Sequence, residues 1–371
     1  MNILFIDQFG EMGGGQQCLV ELMPAIAERG WHSFAAVPAD GGLAQRLAQL
    51  GAVVETISLG DYSPGAKNTA DFARFLMAAP RLALQLRSMI RRHRMDLVYA
   101  NGPRVLPAAA IAAGRLPLIF HAHNYLAPGA GRRLVRGALR IAANANVIAV
   151  SRFVASYFGA VPNVQVVPNG VADCGVLTNK PRPFTVGLAG RIAPEKGQLD
   201  FVEAARLLPR DWKFLIAGTP ILAAPAYAEL VRQRADGLPV QFLGWQNDLR
   251  QFYGQLDLLA VPSAPGEGFG RVIIEAFSAG VPVVAYDSGG IGELIEDGVT
   301  GFLVRPQTPD ALAARLREAC EDPTARRAIA ARGRALWEWS YTIEHYRDRV
   351  TSIIARAATT ASNPAMSSTG R

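Results

Sequence analysis

Two glutamates, Glu267 and Glu275, frame a glycine-rich stretch that reads Gly266-Glu-Gly-Phe-Gly-Arg-Val-Ile-Ile-Glu275. A carboxylate can accept hydrogen bonds from two adjacent hydroxyls, so it suits the vicinal diols that sugars and riboses present. Glycines 266, 268 and 270 let backbone approach a ligand with no Cβ in the way. Upstream, Asp257-Leu-Leu-Ala-Val-Pro262-Ser reads as a short buried strand ending in a turn. Downstream, Val272, Ile273, Ala276 and Phe277 recur at helical spacing, which predicts a helix starting just after the glycines. The free N–H groups and positive dipole end of that helix favour an anion above the loop.

Two further groups of residues could do chemistry. Gly190-Arg191-Ile-Ala-Pro-Glu-Lys196 follows a predicted strand, Phe184–Ala189, and precedes a helix marked by Leu199, Phe201, Val202 and Ala205. An Arg at a strand end and a Lys at the next helix's first turn can converge on a diphosphate. In Leu116-Pro-Leu-Ile-Phe-His121-Ala-His123, two histidines fall at the carboxyl end of a strand, and alternation puts them on one face. A metal could use such a pair, but no third ligand stands near it in sequence. No Asp-x-Asp occurs anywhere in the chain, so no metal site is expected.

The elements that must position these residues alternate strand and helix. Asn2–Ile6 reads as a strand, with glycines at 10, 13, 14 and 15, and a helix carried by Leu19, Leu22, Met23, Ile26 and Ala27. This is the opening of a Rossmann-like half. The glycine spacing does not fit G-x-G-x-x-G, which argues against a dinucleotide cofactor and a dehydrogenase. Strands at 34–37, 53–57, 96–100 and 147–150 and a long helix over 69–94 continue the series. A linker follows at 173–183. Strands at 213–217, 240–243 and 281–285, a helical stretch over 309–336 and a closing helix over 339–354 complete it.

The strand, glycine loop and helix around the Glu-x7-Glu pair resemble the retaining glycosyltransferases of the GT-B fold, family 4. The resemblance covers roughly residues 1–355 and is densest over 184–305. It implies an α/β fold of two Rossmann-like domains with an interdomain cleft: 1–175 binding acceptor, 184–340 binding donor, and a helix, 341–356, crossing back to the first domain. The tail, 357–371, is expected to be disordered.

The resemblance also implies roles. Glu267 would hold the donor sugar's hydroxyls, Glu275 the ribose, and Arg191 with Lys196 the diphosphate. Gly13 and Gly14 would approach the donor phosphates, and Gly268, Phe269 and Gly270 would complete the donor loop. His123 would orient the sugar, with His121 as its neighbour. The element 240–249 resembles the one whose backbone reads the nucleobase. The Asp usual after Val171 is displaced to Asp173 by Ala172, and the usual Gly-x-Gly-Pro has become Gly218-Thr-Pro. The implied activity is metal-independent, retaining transfer of a hexose-type sugar from a nucleotide-diphosphate donor, with no cofactor. The acceptor would be a glycan or lipid-linked molecule in cell-surface polysaccharide or glycolipid synthesis. A catalytically silent nucleotide-sugar-binding protein is the alternative.

Composition narrows the setting. The 371 residues, half of them apolar, can bury two cores. Three scattered cysteines with no CxxC argue for a reducing compartment. Nothing at the N-terminus reads as a signal peptide, so a cytoplasmic location is expected. Net charge is +7, and residues 65–152 hold 14 basic against two acidic residues. That asymmetry suggests an anionic partner. Nucleic acid is not expected, because the motifs and interleaved aromatics that read it are absent. Within this region, 131–141 is a basic amphipathic segment. Leu134, Ala138, Leu139 and Ile141 lie apart from Arg132, Arg133, Arg136 and Arg140, the pattern of a helix at an anionic membrane surface and equally of an ordinary helix with a solvated face.

Overall fold

The computed structural model describes residues 1–59, 69–176, 183–220, 225–246 and 248–362. The chain forms two units, Met1–Asn169 with the segment from Glu344, and Gly170–Ile343. Each is built on one all-parallel sheet.

In the first domain, seven strands lie in the order β3-β2-β1-β4-β5-β6-β7. They are β1 (Asn2–Asp7), β2 (His32–Val37), β3 (Val53–Thr56), β4 (Leu97–Asn101), β5 (Leu118–Ala122), β6 (Ala145–Ala149) and β7 (Val164–Val166). The helices between them are α1 (Gly14–Glu28), α2 (Leu43–Gln49), α3 (Thr69–Arg92), α4 (Leu106–Ala113), α5 (Ala130–Ile141) and α6 (Arg152–Ala155). The central strands are buried on both faces, so they read as continuous apolar runs such as Ile3-Leu-Phe-Ile6.

The second domain repeats the pattern with β8 (Thr185–Ala189), β9 (Lys213–Ala217), β10 (Val240–Gly244), β11 (Leu258–Val261), β12 (Val283–Tyr286) and β13 (Phe302–Val304). Their order is β10-β9-β8-β11-β12-β13. Its helices are α7 (Gln198–Arg206), α8 (Pro225–Ala235), α9 (Leu249–Tyr253), α10 (Arg271–Ser278), α11 (Pro309–Glu321) and α12 (Pro323–Ser340). The last helix, α13 (Ile343–Ser362), lies almost wholly in the first unit, where Arg347 Nε donates to Glu21 O at 2.7 Å. In each sheet the strand order reverses beside the first strand, between β1 and β4 and between β8 and β11. Loops at the carboxyl ends of such strands make the crevice where α/β sheets bind ligands.

The structure corrects three expectations. The first domain ends near residue 169, before 175, because Val171 bridges to Thr342 and accepts from Trp337 Nε1 at 3.3 Å within the second unit. The stretch 309–336 is two helices, broken where Asp322 caps the Thr324 and Ala325 amides and Pro323 starts α12. Trp339 belongs to α12, and the closing helix begins only at Ile343 and runs on to Ser362, so 357–362 are helical. Residues 177–182 of the linker, Asn247 of the element 240–249 and the tail from 363 lie outside the described residues.

The basic amphipathic segment 131–141 lies in α5. Its apolar side is part of the core, with Val135, Ala138 and Leu139 buried. Arg132 Nε donates to Tyr157 O at 3.0 Å and its guanidinium sits over the Tyr157 ring. What faces solvent is Arg133, Arg140 and Ile141, the last 68% exposed. The amphipathic pattern is therefore mainly that of a helix packed on its own domain.

Candidate active site

The second-domain site forms at the carboxyl ends of β8 and β11. The β8 strand runs out into Gly190 and Arg191, and Gln198 at the start of α7 holds the turn. Its Nε2 donates to Arg191 O at 2.7 Å and its Oε1 accepts from the Ala193 amide at 3.3 Å. A single 3-10 turn, Pro194–Lys196, then delivers Lys196. Gly197 closes the turn at φ +70°, and a Cβ there would lie 1.9 Å from Pro262 O. Only glycine lets the Lys196 turn pack this closely on the loop after β11.

That loop carries Glu267. It is tied down by Ala264 N to Glu195 O at 3.0 Å, Gly290 N to Glu267 O at 2.9 Å, and Ser288 Oγ to Ala264 O at 2.7 Å. The Lys196 Nζ and Glu267 Oε2 atoms meet at 2.6 Å, with the Glu267 side chain only 16% exposed. Burial alone would raise the Glu267 pKa. The Lys196 charge and hydrogen bond, with the Ser263 hydroxyl and the Phe269 amide, outweigh it and hold the carboxyl below its ordinary range. Arg191 is more exposed and pairs with Glu195 at 3.1 Å.

The predicted helix after the glycines is α10, entered through Gly270 at φ +89°, which has no side chain of its own to cap it. Glu275 lies in its second turn, 9% exposed at the side chain. Arg271 Nε donates to its Oε1 at 2.9 Å, and the Tyr253 hydroxyl donates to Oε2 at 3.0 Å. Each carboxylate oxygen keeps a second lone pair for a ligand hydroxyl. Burial, then the Glu275 charge, push the Tyr253 hydroxyl well above the usual phenol range. Phe269 is 4% exposed and its ring packs edge-on to Tyr341, so its side chain is core and its amide serves Glu267. Gly268 is buried beside it. Asp173, displaced in the sequence, pairs with Arg334, which lowers its pKa.

The first-domain site forms at the carboxyl ends of β1, β4 and β5. Gly13 caps α1, Gly14 opens it with space where a side chain would stand, and Gly15 abuts His123. His121 and His123 share one face, their ring centroids 4.0 Å apart. His121 is 1% exposed with Nδ1 2.7 Å from the Tyr99 hydroxyl, whereas His123 is half-buried and its Nε2 lies 2.8 Å from Asn101 Oδ1. Asn101 Nδ2 in turn donates to Asp7 Oδ2 at 2.5 Å. Sequence reading missed Asp7, Gln16, Asn101, Tyr253 and Arg271. Asp7 and Asn101 are register partners at the ends of adjacent strands, a proximity that 94 residues of separation hide. Arg271 had a signal, its i,i+4 spacing from Glu275.

Comparison with known proteins agrees with this fold. Residues 12–173 match the family model Glycosyltransferase Family 4, and residues 183–322 match Glycosyl transferases group 1. The two matches between them take in most of the chain. The chain has the two-domain GT-B fold of its structural neighbours, and its two halves match glycosyltransferase models. A crystal structure of Anabaena HepE with UDP and glucose is 29% identical and superposes with a TM-score of 0.81, over 96% of this chain and 99% of that one. The same protein has been solved with UDP-glucose. The D-inositol 3-phosphate glycosyltransferase of Mycolicibacterium gilvum is 36% identical over 174 residues, 44% of this chain and 38% of that protein's length. A GDP-mannose-dependent monoacylated α-(1-6)-phosphatidylinositol monomannoside mannosyltransferase of Corynebacterium glutamicum is 28% identical over 321 residues, 75% of this chain and 81% of that protein. Of these, the HepE structure holds UDP-glucose and the Corynebacterium enzyme is GDP-mannose-dependent.

Proposed function

We propose that this chain transfers a hexose-type sugar from a nucleotide-diphosphate donor to a glycan or lipid-linked acceptor, with retention at the anomeric carbon. The observation that carries the reading is the Lys196–Glu267 pair at the β8 and β11 carboxyl ends, where Arg191 and the start of α10 also lie. This is a preorganised cationic site with a carboxylate poised to accept sugar hydroxyls. The HepE complexes support a uridine nucleotide as the first donor to try.

In the proposed reaction the bond from the anomeric carbon to the phosphate oxygen breaks, and its electron pair stays on the diphosphate. Lys196, Arg191 and the α10 amides stabilise that growing charge, the work a metal does in other designs. The acceptor oxygen bonds to the anomeric carbon from the same face, and its proton passes to the departing phosphate oxygen. Glu267 holds Lys196 and the sugar hydroxyls, Glu275 the ribose, and His123 orients the sugar.

The deciding experiment is a donor screen with released nucleotide diphosphate as the readout. It should include UDP-glucose, other UDP-hexoses and GDP-mannose, with lipid-linked and glycan acceptors. Turnover with one donor and its loss in Lys196→Ala is the expected result. Tight nucleotide binding with no turnover on any acceptor would favour the silent binding protein instead.

A further inference from the structure

We propose that Asp7 and Asn101 are positioning residues for His123, holding one orientation of the Asn101 amide so that His123 is kept protonated at Nε2. The inference concerns the ring's state. Only its catalytic consequence rests on the function proposed above.

Asp7 ends β1 and is fully buried. Its Oδ1 accepts from the Phe9 amide at 2.9 Å and from Gln16 Nε2 at 2.8 Å, and its Oδ2 accepts from Asn101 Nδ2 at 2.5 Å. Burial raises its pKa to about 6 against these hydrogen bonds, so at neutral pH it is a carboxylate that can only accept. Asn101, 2% exposed, has a second neighbour on the same side: Nδ2 lies 3.2 Å from Gly15 O. A carbonyl also can only accept. Turning the amide over would therefore set its oxygen against two acceptors, so the nitrogen must face Asp7 and Gly15. The amide oxygen is then the atom 2.8 Å from His123 Nε2, and that contact is a hydrogen bond only if Nε2 carries a proton.

The ring is held from other sides as well. His121 lies beside it, kept neutral because burial, and then the neighbouring His123 ring, push its pKa well below the ordinary value. Gly15 leaves the room on a third side: a Cβ there would come within 3.1 Å of His123 Cδ2. A side chain so oriented cannot take a proton at Nε2. His123 thus works as a fixed donor and dipole in the first-domain site, and its chemistry is set two residues away, at Asp7.

Two-bond 15N–1H spectra of the full chain test this directly, with the His123 signals assigned by their loss in His123→Gln. A protonated, pyrrole-type Nε2 is expected in the unaltered chain. In Asn101→Ala the proton should redistribute between the two ring nitrogens, moving both signals, and Asp7→Asn should produce a partial shift because its amide permits either orientation. If Asn101→Ala fails to fold, Asn101→Ser, which keeps an acceptor, should retain the protonated Nε2 in part. An unprotonated Nε2 in the unaltered chain, or a His123 spectrum indifferent to both Asn101 variants, would overturn the proposal. In turnover, Asn101→Ala should lower kcat at least tenfold while KM and nucleotide affinity stay near normal. Equal losses in all three would make the role merely structural. Absence of turnover in the unaltered chain would defeat the proposed function but leave the spectra decisive.

Discussion

The two domains share a topology and differ in what they place at the same point of it. In both, the strand order reverses beside the first strand, and a glycine-bearing turn follows that strand. The second domain puts charge pairs there: Lys196 with Glu267, Arg271 with Glu275, Arg191 with Glu195. The first puts a hydrogen-bonded series there, Gln16–Asp7–Asn101–His123, with Asp7 as its one buried carboxylate. Paired cations are held in place before a dianion arrives, so little reorganisation is needed when it binds. A satisfied amide series suits a different task, fixing a ring and the location of its proton. The comparison suggests that the charge handling of the reaction belongs to the second domain and orientation to the first.

The largest test of that division is Lys196→Ala. It removes the cation and leaves Glu267 buried without it, so kcat should fall by roughly 10²–10³, and added magnesium should not restore it. Rescue by a divalent metal would return the charge handling to a metal and erase the contrast.

Asp7→Asn tests the other side through pH. The folded pKa near 6 exceeds the ordinary 3.8, so between those values the folded state holds a proton that the unfolded state has lost. The contribution of Asp7 to stability is thus full below about pH 4 and lost as pH rises through 6, on the order of 3 kcal/mol in all. Urea midpoints of Asp7→Asn from pH 4 to 7 should lack this decline. An unchanged slope would mean that Asp7 is not the isolated buried acid described here.

Glu275→Ala should weaken nucleotide binding by about 1.5–3 kcal/mol, because a buried charged acceptor is lost. It should also lower the melting temperature, since Arg271 and Tyr253 lose their partner. Calorimetry showing unchanged nucleotide affinity would reduce Glu275 to a structural role. The smallest effect is expected at the surface of α5. Changing exposed Arg133 and Arg140 to Ser should weaken low-salt binding to anionic vesicles by about 1 kcal/mol each, and salt should abolish the difference. A chain that ignores such vesicles would favour a soluble acceptor.

Much of this was legible before any coordinates, for a local reason. Short apolar runs closed by turn residues, such as Leu258–Val261 before Pro262, read as buried strands, and glycines followed by a 3.6-residue period mark the loop and helix that carry Glu267 and Glu275. At α5 the same periodicity records which side is apolar and not what covers it. It missed the break at Asp322-Pro323, where two helices share one apolar period.

The sequence by itself determined the alternating α/β elements, the two domains and the identity of the charged groups, because each follows from patterns a few residues long. Only the tertiary structure decided who meets whom. Lys196 finds Glu267 across 71 residues, and Asp7 finds Asn101 across 94. Those distances close because parallel strands next to one another in a sheet come from remote parts of the chain, and their carboxyl ends bring their loops to one edge.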